Sequence, residues 1–166
     1  MKYCKIKPND VANGNGVTVS VWTQGCPHHC KGCFNKETWD FSKGKDFNEE
    51  TLNKIHLLLD DYGIKRDLSI LGGEPLCSQN IDGIIQLCDY IKEHRPNTKI
   101  YCWTGYTFEQ LQNLYDISKL KIDILIDGKF DINKKDITLK WRGSKNQRIL
   151  DMQKSIQVSK PILYKD

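Results

Sequence analysis

The spacing of apolar and polar residues changes several times along this chain, and each change marks an element. VTVSVWTQ, from Val17 to Gln24, is β-branched and apolar and predicts a strand. The NGNG stretch before it, Asn13 to Gly16, is a turn signal, and the GCPHHCKGCFN segment after it is loop by its glycines and proline. From Asn48 the period becomes helical. Asn48 stands as the cap, Leu52, Ile55, Leu58 and Leu59 form one apolar stripe, and Gly63 ends it. DLSILGG, Asp67 to Gly73, predicts a short buried strand. Ile81, Ile84, Ile85, Cys88 and Ile91 share a face of a second helix that stops before Pro96. Thr98 to Gly105 predicts a strand, and TFEQLQNLY a short helix opened by a capping box of Thr107 and Gln110. Ile122 to Gly128 predicts a fourth strand. The segment from Lys129 to Ile156 is polar and poorly periodic, and the last apolar stretch predicts an edge strand.

Strands alternating with helices imply an α/β fold with a mainly parallel sheet. A chain of 166 residues suits one domain, 1–166. It is shorter than the roughly 250 residues of a closed eight-fold β/α barrel, whereas a small open partial β/α barrel fits. In parallel α/β folds, sites gather at the carboxyl ends of strands. The four strands are followed by the cysteine-rich loop, by GGEP, by TGY and by Asp127-Gly128. The unusual residues of the chain therefore fall on one edge of the sheet.

Composition narrows the partners. Apolar residues make up 39% and charged residues 28%, which is globular rather than disordered. The net charge of +4 comes without a basic block, so nucleic acid is not expected as a partner. No apolar run reaches the roughly 18 residues of a membrane span. The first ten residues, MKYCKIKPND, lack the apolar core of a signal peptide, so a cytoplasmic location is expected. The seven cysteines are an odd number, which in a reducing compartment argues against a disulfide framework.

Three of these cysteines, Cys26, Cys30 and Cys33, form C-x3-C-x2-C in a polar loop that Gly25, Pro27 and Gly32 allow to wrap tightly. Buried structural cysteines prefer apolar surroundings, so chance spacing is a poor account. A redox pair from Cys30 and Cys33 leaves Cys26 unexplained. Structural zinc wants four ligands, so His28, His29 or a distant cysteine would have to complete the set. A 4Fe-4S cluster usually takes four cysteines, and three leave one iron open for a small chelating molecule.

With Gly72-Gly73-Glu74-Pro75 after the next strand, this loop resembles the signature of the radical S-adenosylmethionine (SAM) enzymes. The resemblance implies that Cys26, Cys30 and Cys33 are the metal ligands and carry the catalytic cluster. SAM chelates the open iron, and its amino group meets the backbone carbonyls of Gly72 and Gly73 and the Glu74 carboxylate. Two glycines allow close approach, and a carboxylate suits an ammonium. The superfamily often has an aromatic residue just before the third cysteine. Here that position is Gly32, so the adenine rests against the Gly32–Cys33–Phe34 backbone or against the Phe34 ring. Five segments, CPHHCKGCFNKETWDF, LGGEP, WTGYTFEQL, DILIDGKF and WRGSKNQRI, are similar to the activating proteins of anaerobic (class III) ribonucleotide reductases. They run from about Val17 to Ile149. A weaker similarity is to the activase of pyruvate formate-lyase.

That family implies an oxidoreductase that cleaves SAM to methionine and a 5′-deoxyadenosyl radical. The radical takes hydrogen from a glycine of the reductase's large catalytic subunit. A one-electron donor such as a flavodoxin reduces the cluster. Two alternatives stay open on sequence: an activase of another glycyl radical enzyme, and a metal-bearing interaction module without SAM chemistry. Thr104 is expected near the SAM ribose and Asp127 facing the SAM site, against plain turn roles for both. Trp103 and Tyr106 are candidates to line the pocket, with core packing the favoured role for Trp103. The RGSKNQR run from Arg142 to Arg148 suits SAM's carboxylate, partner docking or a solvated loop. His28 and His29 are expected to be ordinary loop residues, and Cys77 and Cys88 core. Glu74→Gln is expected to weaken SAM binding and leave metal content unchanged.

Overall fold

A computed structural model describes residues 1–165. Seven strands form one sheet in the order β3-β1-β2-β4-β5-β6-β7. The strands are β1 (Lys2–Asp10), β2 (Thr18–Gln24), β3 (Lys45–Asp46), β4 (Asp67–Gly72), β5 (Ile100–Trp103), β6 (Ile124–Asp127) and β7 (Arg148–Asp151). The central four, β2-β4-β5-β6, run parallel. β1 and β3 on one flank and β7 on the other pair antiparallel. The α/β class holds, and parallel pairing is confined to the middle of the sheet.

Four helices connect or follow these strands: α1 (Glu49–Leu58), α2 (Ile81–His94), α3 (Phe108–Leu114) and α4 (Met152–Val158). Asn48 caps α1 by accepting from the Thr51 N–H at 3.0 Å. The Thr107–Gln110 capping box opens α3 as its sequence predicts. α1 ends at Leu58, earlier than Gly63. A 3-10 turn follows at Asp61–Gly63, where Tyr62 takes φ 55°.

The strand period of two sorts the side chains between faces. Val19, Val21, Leu68, Ile70, Ile100, Cys102 and Leu125 pack with Leu52, Ile55, Ile84, Leu87, Ile91, Phe108, Leu111 and Met152 from the four helices. All four helices thus cover one face of the sheet. The opposite face carries Tyr101, Ile124 and Ile126 under Trp103, Trp141, Ile149 and Tyr164. The NGNG loop folds onto this face. Ser69 Oγ and Thr18 Oγ1 donate to the Asn13 carbonyl, and the Asn15 N–H donates to the Tyr101 hydroxyl.

Sequence reasoning missed the antiparallel flanks. β1 is rich in lysine and half-exposed, but Lys5 and Lys7 lie over the Trp22 ring at 4.5 and 5.0 Å. β7 and α4 lie in the segment read as aperiodic. Asp151 caps α4 by accepting from the Lys154 N–H at 3.0 Å. The last apolar stretch is not a full edge strand. It joins the edge at β7 by a single bridge, Leu150–Leu163. Among the described residues, no helix is long and apolar enough to cross a membrane.

Candidate functional site

The loops after the four parallel strands meet at one edge of the sheet. The cysteine loop leaves β2 at Gly25, whose N–H donates to the Thr38 carbonyl at 2.7 Å, and the Cys26 N–H donates to the Trp39 carbonyl at 3.1 Å. Its middle is a tight turn in which the Cys33 N–H donates to the Cys30 carbonyl at 3.1 Å. Gly32 supplies the positive φ that this turn requires, +77°. Its open side is blocked: a Cβ there would stand 2.8 Å from Ile132 Cδ1. His29 stacks on Trp39 with ring centroids 4.5 Å apart.

The GGEP segment then passes directly beneath this loop. The Gly73 N–H donates to the Thr23 carbonyl at 3.0 Å, and the Glu74 N–H to the Gly25 carbonyl at 2.8 Å. A Cβ on Gly73 would lie 2.4 Å from the Gly25 carbonyl oxygen and 3.0 Å from that of Thr38. The second glycine of the motif is therefore dictated by backbone packed on backbone. Asn80 ties the same corner by donating to the Gln24 and Glu74 carbonyls, both at 3.0 Å.

The Glu74 carboxylate is fully buried and is the hub of the site. Oε1 accepts from the Leu76 N–H at 2.9 Å and from Thr104 Oγ1 at 2.7 Å. Oε2 accepts from the Gly105 N–H and from His28 Nε2, each at 2.7 Å. All four acceptor positions of a carboxylate are thus taken by the protein. Each residue of the TGY segment has a place in this arrangement. Thr104 donates to one oxygen and accepts from the Tyr106 N–H at 3.1 Å. Gly105 donates to the other oxygen and makes room, since a Cβ on it would stand 2.4 Å from His28 Cδ2. Tyr106 meets the His28 ring edge-on at 4.7 Å.

His28 was expected to be an ordinary loop residue, and the structure corrects this. Its side chain is only 7% exposed and is bonded to Glu74. Nothing in the sequence around His28 signals that role, because its partners are 46 and about 77 residues away along the chain. Thr104 and Glu74, expected at SAM, spend these side-chain bonds on each other.

Asp127, at the end of β6, is also fully buried. Its Oδ2 accepts from the Phe108 N–H at 2.8 Å, at the start of α3. Arg148 donates to both its oxygens at 2.9 and 2.5 Å. Arg148 reaches on to Glu109 at 3.0 and 2.8 Å, and this pairing holds the Glu109 carboxyl well down, at about 2. The RGSKNQR run thus ends in a cation that ties β7 to β6 and α3. Arg142 donates to the Gln147 carbonyl at 3.2 Å within its own loop. Trp103 packs in the smaller core and donates to the Trp141 carbonyl at 2.7 Å. Phe34, directly after the third cysteine, is 83% exposed. Cys77 and Cys88 are buried, as expected.

All seven cysteines are free. Among the described residues, no group of three Cys, His, Asp or Glu side chains is gathered at metal-holding geometry. The case for a cluster rests on donor chemistry and on the pinning of the loop. Burial pushes the Cys26 thiol up to about 11. Burial raises Cys30 as well, and the neighbouring Cys33 sulfur adds to the effect. Both effects disfavour the thiolate form, which a bound metal cation would restore. Three soft donors on one wrapped loop fit iron and sulfide.

Comparison with known proteins agrees with this chemistry. The model of a family described as a 4Fe-4S single cluster domain matches residues 12–150. Anaerobic ribonucleoside-triphosphate reductase-activating proteins are similar over nearly all of both chains. That of Vibrio cholerae is 41% identical over 150 residues, 90% of this chain and 97% of its own. That of Pasteurella multocida is 39% identical over 152 residues, 90% and 96%. That of the bacteriophage T4 is 38% identical over 149 residues, 90% and 93%. With its cysteine loop pinned against the GGEP and TGY segments, the chain belongs to the family of anaerobic ribonucleoside-triphosphate reductase-activating proteins and carries that family's 4Fe-4S domain.

Proposed function

We propose that this protein is the radical SAM activase of an anaerobic ribonucleoside-triphosphate reductase, with Cys26, Cys30 and Cys33 as the three cluster ligands. When bound and reduced, the cluster supplies the electron that splits SAM into methionine and a 5′-deoxyadenosyl radical, which takes one hydrogen from a glycine of the large reductase subunit and leaves as 5′-deoxyadenosine. The chain's own residues orient and shield. The Gly72 and Gly73 carbonyls receive SAM's ammonium on a strap that Glu74 holds from behind. The Gly32–Cys33–Phe34 segment offers the adenine a backbone edge and an exposed ring. Thr104 and Asp127 form the remaining wall through their fixed loops.

One observation carries the reading: the Glu74 carboxylate joins the cysteine loop, the GGEP strap and the TGY loop in a single buried hydrogen-bonded unit. The four parallel strands, with every helix on one face, support a small open partial barrel formed by one domain, residues 1–166; Asp166 lies outside the described residues. An open edge leaves room for the large subunit as a protein substrate, and a flavodoxin-type donor fits the one-electron step. Seven free thiols agree with a reducing cytoplasm. The test is anaerobic reconstitution with iron and sulfide, followed by EPR of the reduced protein with and without SAM. A reduced 4Fe-4S signal that SAM reshapes, 5′-deoxyadenosine as product and a glycyl radical on added large subunit are expected. Uptake of zinc without a cluster or any SAM response would overturn the reading.

A further inference from the structure

We infer that His28 is a positioning residue for the reaction: through its hydrogen bond to Glu74 it sets the cysteine loop against the strap that receives SAM. The inference rests on the function proposed above and deepens it. Between Cys26 and Cys30 the backbone makes a three-residue excursion in which Pro27 and His29 face outward and His28 turns in. His28 fills a slot whose walls are Gly105, Tyr106 and Glu74, and its Nε2 lies 2.7 Å from Glu74 Oε2. The loop is held at its root by backbone bonds from Gly25 and Cys26, and at its far turn by Ile132 against Gly32. Between these points His28 is the side-chain tether to the site floor. Glu74 has no free acceptor position, so it acts on SAM through the loops it fixes.

The chemistry of the tether defines its test. Glutamine places an amide N–H donor near the position of the imidazole Nε2. Asparagine is too short to reach Glu74, and phenylalanine keeps the ring against Tyr106 but removes the donor. Wild type, H28F, H28N and H28Q are reconstituted with iron and sulfide. Iron per chain, the EPR spectrum of the reduced protein and the SAM concentration that half-converts that spectrum are measured. H28F and H28N are expected to hold as much iron as wild type and to need about tenfold more SAM, with H28Q returning most of the way. A purely structural contact would alter iron content or folding and leave the SAM titration of loaded protein unchanged. The inference is overturned if H28F and H28N titrate like wild type, or if H28Q is as impaired as they are.

The two readings fail separately. If wild type forms a cluster that ignores SAM, the SAM function falls. The tether is then judged on the cluster's own EPR line shape, broadened in H28F and H28N and restored in H28Q if it is real. If wild type takes up no cluster, thermal melts of the unloaded proteins decide. Melts ordered with H28Q above H28F and H28N then show a structural contact alone and overturn the positioning role, as identical melting temperatures also do.

Discussion

Gly73→Ala adds one methyl group, and the structure says where it must go. Its Cβ would stand 2.4 Å from the Gly25 carbonyl oxygen, 2.9 Å from the Gly25 carbonyl carbon and 3.0 Å from the Thr38 carbonyl oxygen. All three are main-chain atoms. The Gly25 carbonyl accepts the Glu74 N–H at 2.8 Å, and the Thr38 carbonyl accepts the Gly25 N–H at 2.7 Å. Relieving the overlap therefore stretches both bonds that seat the cysteine loop. Overpacking of this kind costs about 1–3 kcal/mol, and rigid backbone on every side puts this site at the upper end, about 2–3 kcal/mol. For a chain of this size that is a fall in melting temperature of about 4–12 °C. Gly83→Ala is the control. Its Cβ would also be close to an atom, at 2.7 Å, but that atom is the Cβ of a side chain, Met1, with its Sδ and Cε next nearest at 3.1 Å, and no main-chain carbonyl is among the three. Gly83 lies inside α2, where alanine is favoured over glycine by about 1 kcal/mol. The helix preference offsets part of the shift that Met1 must make, so G83A is expected to melt closer to wild type than G73A. Scanning calorimetry of the unloaded proteins, with iron per chain after reconstitution, is the assay. A G73A protein that melts within 1 °C of wild type, a loss of about 0.5 kcal/mol or less, would refute the argument. So would a G83A protein that loses as much as G73A.

Glu74→Gln replaces a carboxylate that faces four donors with an amide that is itself half donor. Bonds to a charged acceptor contribute about 1.5–3 kcal/mol each, so a loss of about 3 kcal/mol or more is expected in urea melts. This variant is therefore expected to disturb the fold itself. Arg148→Met leaves the buried Asp127 carboxylate with only the Phe108 N–H, and a loss of about 2–3 kcal/mol is expected by the same assay. Glu109→Gln removes the outer partner, half-exposed at 51%, and is expected to cost under about 1 kcal/mol. The Glu109 carboxyl is lowered from 4.5 to about 2, so its contribution is full above pH 4.5 and fades as pH falls toward 2. Acid melts of wild type and E109Q should accordingly converge near pH 2. Replacing Cys26, Cys30 or Cys33 with serine should abolish iron uptake. Cys88→Ala, on the buried face of α2, should lower the melting temperature and leave iron per chain unchanged.

What the sequence disclosed and what it hid divide along a physical line. The four parallel strands and the three helices between and after them are written in local period, because each buries an uninterrupted apolar stripe. Val19 and Val21, Ile84 and Ile91, and Phe108 and Leu111 are fully buried as that pattern requires. The carboxyl-edge rule then brought the cysteine loop, GGEP, TGY and Asp127 together without any contact being known. The flanks escaped because edge strands bury little. β1 hides its apolar contact in lysine stems, and β7 has only Leu150 fully buried. The hub escaped for a different reason. Whether a glutamate in GGEP faces a ligand or the protein depends on what the next two loops offer it. Thr104, Gly105 and His28 offer three donors from two segments that share no pattern with it. Four donors around one buried carboxylate outweigh the cost of removing it from water, whereas an ammonium ligand alone would have to displace one of them first. The most conspicuous side chain of the GGEP motif thus faces inward, into the protein. The residue that looked least informative in the cysteine loop, His28, is the one through which the strap and the loop are held in register.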